Sequence, residues 1–184
     1  LTAWMDYCRS RKRWRVRMLL KQLHHVAYRC VNTRETVNFY RDILGLKYAA
    51  ETQQDMVPST GERCPFIHVF MAMEDGSCVA FFEVPECDPM SVDPNTPDWV
   101  QHLALRADTI EDLNEIKGRL EERKLDCIGP IDHGPTHSIY FHDPSGHRLE
   151  VAVHGDLSIR QEQARNAEDL LDKWDEKWHS ASAS

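Results

Sequence analysis

The sequence predicts an α+β fold: two βαβββ modules forming a cupped mixed sheet around a cleft, followed by a C-terminal helix. Three observations predict it. A strand-like opening, His25-Val26-Ala27-Tyr28-Arg29, returns as His102-Leu103-Ala104-Leu105-Arg106. Each is followed by a capped amphipathic helix, and each helix by three more strand-like runs. A supersecondary unit met twice in the same order marks an internal duplication.

The elements follow in turn. Residues 1–19 form a basic extension, expected to be poorly ordered or non-native, with Met18 a natural start. The first module spans 20–85. Its opening strand covers 22–30. Thr33 is expected to cap a helix over Arg34–Leu44, where Val37, Tyr40, Ile43 and Leu44 fall at helical spacing and Gly45 ends it. Strands are expected at 46–53, 66–73 and 78–84, the last two joined by a turn at Asp75-Gly76. Residues 86–98, crowded with turn formers and Pro89, Pro94 and Pro97, read as a linker. The second module spans 99–154. It has a strand at 99–107 and a helix capped by Thr109 with Ile110, Leu113, Ile116 and Leu120 on one face. Strands at 125–129, 137–142 and 147–153 complete it. Residues 155–184 form a tail whose helix, Leu157 to Trp178, carries a stripe of Ala164, Ala167, Leu170, Leu171, Trp174 and Trp178. That stripe suits packing on its own domain or on a partner, and Ser180–Ser184 are expected to fray.

Composition excludes several classes. The 184 residues are 41% hydrophobic and 28% charged, as in ordinary globular proteins, and no apolar run is long enough for a membrane span. Residues 1–21 hold seven basic residues and one acid, which leaves 15 basic and 29 acidic residues elsewhere, a net charge of −14. So acidic a body argues against a nucleic-acid groove. The six cysteines show no Cys-x-x-Cys pair and read as small buried hydrophobes. With no secretory leader visible, a cytoplasmic location is expected.

Side chains alternate along a strand, so His25, Ala27 and Arg29 share one face, and His102, Ala104 and Arg106 share its counterpart. The apolar alternates should pack under the helices, leaving these residues in the cup. In the closing strands, Phe81 and Glu83 are assigned to one face, and Arg148, Glu150 and Ala152 to the cup. A carboxylate in an apolar cup is costly unless a cation offsets it. Two histidines and one carboxylate suit Fe(II) or Mn(II); a fourth ligand shifts the site toward Ni, Co or Zn and Lewis-acid chemistry. Arg29 and Arg106 are expected to pair with Glu83 and Glu150 or to sit at the rim and attract an anionic substrate.

The run Leu23-His24-His25-Val26-Ala27 through Phe39-Tyr40-Arg41-Asp42-Ile43-Leu44-Gly45-Leu46 resembles the opening of the vicinal oxygen chelate superfamily. This group includes glyoxalase I, extradiol dioxygenases, methylmalonyl-CoA epimerase, and fosfomycin and bleomycin resistance proteins. Phe141-His142-Asp143-Pro144-Ser145-Gly146-His147-Arg148-Leu149-Glu150 resembles its closing motif, and the resemblance covers residues 20–154. It implies one divalent metal on His25, His102 and Glu150, Fe(II) first, with Glu83 as the fourth ligand of glyoxalase I-like members. His24 is set aside on parity. Tyr140, ten positions before Glu150, matches a tyrosine that hydrogen-bonds catecholate in ring-cleaving members. His133 and His137 are candidate acids or bases, and Phe81 and His142 candidate substrate contacts.

The first expectation is extradiol cleavage of a small catechol-like substrate by Fe(II) and O2. Two departures stand against it: most such enzymes carry four modules, and their three-ligand site has no use for a carboxylate at 83. The alternatives are a glyoxalase- or epimerase-like lyase or isomerase working through an enediolate, and a non-catalytic binding module. A small-molecule substrate and a homodimer are expected, with no nucleic acid and no membrane.

Overall fold

The computed structural model describes residues 19–91 and 93–178. The expected basic extension and the fraying Ser180–Ser184 therefore lie outside the described residues, apart from Leu19.

The first module runs β1 (His25–Arg29), α1 (Thr33–Asp42), β2 (Lys47–Met56), β3 (Arg63–Ala72) and β4 (Cys78–Glu83). The second runs β5 (Leu103–Arg106), α2 (Ile110–Glu122), β6 (Ile128–Asp132), β7 (Thr136–His142) and β8 (Arg148–His154). A final helix, α3, covers Leu157–Trp178. Each module makes a four-stranded sheet, in the orders β1-β4-β3-β2 and β5-β8-β7-β6. Within each, the first strand pairs parallel to the last and the other pairs are antiparallel. The duplication read from the sequence is therefore present strand for strand.

Local chemistry fixes the helix ends. Asn32, one residue earlier than expected, caps α1, its side chain accepting from the Glu35 N–H at 3.0 Å. Thr33 is instead the first helical residue, and its N–H donates to Glu83 Oε2 at 2.6 Å. At the other end Gly45 takes φ 76°, and its N–H and that of Leu46 close on the carbonyls of Arg41 and Tyr40. For α2 the expected Thr109 forms a full capping box with Asp112.

Several boundaries differ from expectation. β5 starts at Leu103, since Trp99 and Val100 fall in a turn in which Val100 N–H reaches the Pro97 carbonyl at 2.9 Å. β2 runs on to Met56, carried past its polar residues by pairing with β3. β6 begins three residues late, at Ile128.

One face of each sheet lies under its helix. Val69, Met71, Val79 and Phe81 from the first sheet and Ile139, Phe141, Leu149 and Val151 from the second are almost wholly buried, and they belong to one continuous core. The modules join through these helix-side residues. Phe39 packs on Phe141 with ring centroids 6.2 Å apart, and Tyr28 on His147 at 4.8 Å. The Tyr40 hydroxyl donates to Asp143 Oδ2 at 3.1 Å. The opposite, cup faces stay open at His25, Ala27 and Ala104. No residue of α3 is buried, so its Leu170, Leu171, Trp174 and Trp178 stripe is not packed on its own domain. No helix among the described residues is long and apolar enough to cross a membrane.

Tyr40 is fully buried and links the modules, so Tyr40→Phe should cost about 1–2 kcal/mol, since Asp143 keeps the Ser145 and His147 N–H donors. Urea unfolding measures this; an unchanged midpoint would remove the bond from the account.

Candidate metal centre

The second module assembles the more complete half of the site. Glu150, in the middle of β8, has only 8% of its surface exposed. Its position is set by alternation with Leu149 and Val151, which turn into the core. A carboxylate this enclosed needs partners. Oε1 accepts from Ser138 Oγ at 2.5 Å and Oε2 lies 2.9 Å from His102 Nε2. Tyr140, directly across from Glu150 in the β7–β8 register, sets its ring edge-on to His102, centroids 6.1 Å apart. Its hydroxyl pairs with His133 Nε2 at 2.9 Å. Burial pushes the Tyr140 hydroxyl above its usual range, and the Glu150 carboxylate pushes the same way. Arg148 lies over the Tyr140 ring, 5.0 Å from its centroid, and reaches Asp98 of the linker at 2.7 Å. His142 meets the same Asp98 at 3.2 Å. Hydrogen bonds from His142 and Arg148 hold the Asp98 carboxyl below its ordinary range, the His142 bond contributing most.

The first module presents a different surface at the equivalent places. His25 is exposed on β1, with Nδ1 2.7 Å from His24 Nδ1. Around it lie Phe70, with ring centroids 5.6 Å away, and His68 at 6.4 Å. His68 stacks on Phe82 at 3.6 Å, and its Nε2 is buried without a hydrogen-bond partner. Burial and the neighbouring His25 hold the His68 ring below its ordinary value of 6.5.

Strand register makes the comparison between modules exact in position. On β1–β4, Ala27 pairs with Ala80; on β5–β8, Ala104 pairs with Glu150. The place symmetric to Glu150 is therefore Ala80, not Glu83. By the same register Phe70 stands where Tyr140 does, and His68 where Ser138 does.

This corrects several expected roles. Glu83 lies on the helix side of β4 and accepts the Thr33 N–H at the start of α1, so it is not aimed into the cup as a fourth ligand. Phe81, on the same side, is fully buried against Tyr40 and cannot line a substrate cleft. His137 shares parity with the buried Ile139 and Phe141; it turns away from Tyr140 and sits 3.6 Å from Asp132. Arg106 pairs with Asp108 at 2.7 Å rather than with Glu150. Arg29 takes the rim alternative instead of a carboxylate pair: it reaches the carbonyls of Val84 and Cys87, at 3.5 and 3.4 Å. Two of the three expected ligands, His102 and Glu150, are brought together. His25 is not brought to them: among the described residues no group of three or more His, Cys, Asp or Glu converges to hold a metal ion. Sequence reasoning missed Ser138, Asp98 and His68. Parity with Tyr140 could have found Ser138; nothing local pointed to the other two.

Comparison with known proteins agrees with this architecture. Residues 22–151 match the family model described as the Glyoxalase/Bleomycin resistance protein/Dioxygenase superfamily. The putative ring-cleaving dioxygenase MhqA of Bacillus subtilis (strain 168) is 26% identical over 139 residues, 74% of this chain and 41% of that protein. Biphenyl-2,3-diol 1,2-dioxygenase 2 of Rhodococcus globerulus is 31% identical over 67 residues, 35% of each chain. The chain thus spans less than half the length of these curated relatives. A glyoxylase/bleomycin resistance protein/dioxygenase domain from Frankia sp. EAN1pec has the same fold, with a TM-score of 0.60 at 16% identity over 73% of this chain and 98% of that one.

Two outcomes follow from the geometry. Glu83→Ala removes an acceptor at the α1 N-terminus and should cost about 1–2 kcal/mol in urea unfolding. It should leave Mn(II) affinity within about twofold; a large loss of affinity would restore Glu83 as a ligand. His68 binds a proton less readily folded than unfolded. Stability should therefore fall as pH drops below about 6.5 and level off once the folded ring also protonates. In His68→Phe that part of the urea-midpoint profile should flatten; an identical slope in both proteins would contradict it.

Proposed function

The chain belongs to the glyoxalase/bleomycin resistance protein/dioxygenase superfamily, and we propose that within it the protein is a metal-dependent enzyme that cleaves the ring of a small catechol-like substrate with Fe(II) and O2. The observation that carries this reading is Ala80 at the place symmetric to Glu150. It leaves a set of two histidines and one carboxylate, His25, His102 and Glu150, with positions free for substrate and O2. A glyoxalase-type proton transfer would want a second carboxylate opposite Glu150, and an alanine stands there.

The donors fit such an ion. Two ligands at right angles, each about 2.1 Å from a metal, are about 3 Å apart, and His102 Nε2 and Glu150 Oε2 are 2.9 Å apart. Ser138 holds the far carboxylate oxygen, which orients Glu150 as a supporting hydrogen bond should. The third ligand needs a second copy of the chain. Within one chain His25 does not converge with the other two; on this reading the first cup of one copy lies against the second cup of another. The protein is on this reading a homodimer with two composite sites.

A divalent ion held by His25, His102 and Glu150 would supply Lewis-acid and redox chemistry toward a diol and O2. The chain's own residues do the remainder. Tyr140 hydrogen-bonds a substrate oxygen, and His133, 2.9 Å from its hydroxyl, accepts or returns the proton. Arg148 and Asp98 keep the Tyr140 ring in place. Phe66, Phe70, Phe82 and His68 offer a half-buried aromatic surface suited to a flat ring.

Anaerobic Fe(II) loading followed by oxygen uptake with a panel of catechols tests the reaction. Uptake matched by a ring-opened product is expected; no uptake with any catechol would overturn it. Mixing tests the assembly. His25→Ala and Glu150→Ala should each be inactive alone, yet after co-refolding should regain about a quarter of wild-type activity through one intact site per mixed dimer. No recovery would argue that all three ligands come from one chain.

A further inference from the structure

We propose that Cys64 and Cys87 form a redox-responsive pair that closes into an intramolecular disulfide and staples the start of the linker to β3. The inference is independent of the catalytic reading, because it stands on the sulfur atoms alone. Their Sγ atoms lie 3.5 Å apart across 23 residues of sequence. A bond at about 2.05 Å requires only a small further approach. The two segments are already held together beside them: Arg63 bonds Glu86 at 2.7 Å, one residue before each cysteine. Cys87 sits in a tight turn, its N–H on the Val84 carbonyl at 3.2 Å. The other described cysteines are placed differently. Cys30 is buried in the core, and the sulfurs of Cys78 and Cys127 face the carbonyls of Gly76 and Ile128.

The two thiols are not equivalent. Cys64 is half-buried at the start of β3, while Cys87 is exposed. Cys87, the more exposed of the two, meets an external disulfide first and is the first nucleophile, while the hydrogen bond with Cys87 and burial hold the Cys64 thiol above its usual range. With a small external disulfide of the oxidised-glutathione class as oxidant, the Cys87 thiolate attacks one sulfur, forms a mixed disulfide and expels one thiolate. Cys64 then gives up its proton, attacks the Cys87 sulfur and expels the second thiol. Two protein thiols are oxidised to one disulfide while the external disulfide is reduced to two thiols.

The location gives the bridge a consequence. The carbonyls of Val84 and Cys87 receive the Arg29 guanidinium at the rim of the first cup. The same linker runs on to Asp98, which takes Arg148 and His142 of the second module. Oxidation thus fixes the near end of a linker whose far end meets Arg148 and His142, and reduction releases it.

The test uses the full-length reduced protein. It is treated with oxidised glutathione without denaturant, alkylated, and mapped by mass spectrometry under non-reducing conditions. The expected result is a Cys64–Cys87 linked peptide, an intact mass lower by two hydrogen atoms, and reversal by dithiothreitol. Closing the loop should raise the thermal midpoint by roughly 5–10 °C. In Cys64→Ser, Cys87 should retain a glutathione adduct that the wild type does not accumulate. In Cys87→Ser, changed at an exposed position, the cross-link should vanish with none appearing elsewhere. The proposal is overturned if both cysteines remain alkylatable after treatment, if wild-type Cys87 keeps its adduct, or if either sulfur is found bonded to another cysteine.

Discussion

Phe39 against Phe141, Tyr28 against His147, and the Tyr40 hydroxyl on Asp143 join the helix-side faces of two sheets into one core. The rest of the molecule depends on that joint. Strand alternation allows each sheet one face for the core, so the opposite face, with His25 or with His102 and Glu150, is left for another purpose. Burial of the apolar alternates is what holds the polar ones in register, since a slip by one residue would carry Leu149 and Val151 out and Glu150 in. The core therefore positions the candidate ligands without touching them.

The two modules share a backbone plan but not a polar inventory. Glu150, Tyr140, Ser138 and Arg148 in the second correspond to Ala80, Phe70, His68 and Cys78 in the first. Duplication has thus been followed by division of labour between the halves. One half is charged and hydrogen-bonded, with Glu150, Ser138 and His102 forming a closed set. The other is more aromatic, with Phe66, Phe70 and Phe82 gathered around His25 and His68. Set together, they would offer an aromatic wall and a polar, metal-holding wall, the two surfaces an aromatic diol needs.

Much of this was legible in the sequence, for physical reasons that can be named. The βαβββ repeat showed because helix caps, glycine stops and period-two alternation agree in both halves. Glu150 showed because Leu149 and Val151 flank it, so its parity is unambiguous. Glu83 did not, because Phe81-Phe82-Glu83 is apolar on both faces and alternation alone cannot say which faces the helix. Only the pairing of β4 with β1, a contact between residues more than fifty positions apart, settles it. His137 was legible and misread: Ile139 and Phe141 share its parity and are buried. Asn32 displaced Thr33 as the cap because its own side chain takes the Glu35 N–H, which leaves Thr33 as the first helical residue. Asp98 lies in a proline-rich segment where no periodicity exists to read. The convergence of His25 with the other ligands is a question of how sheets meet, which no local pattern encodes.

The central claim is a three-ligand metal centre of His102 and Glu150 from one copy and His25 from another. A crystal structure of the Mn(II)-loaded protein, with anomalous scattering to locate the ion, tests it most directly. The account predicts one ion per chain, about 2.1–2.2 Å from His102 Nε2, a Glu150 oxygen and a His25 nitrogen of the second copy, with Glu83 still accepting the Thr33 N–H. An ion bound by Glu83, or held by all three ligands from a single chain, would contradict it.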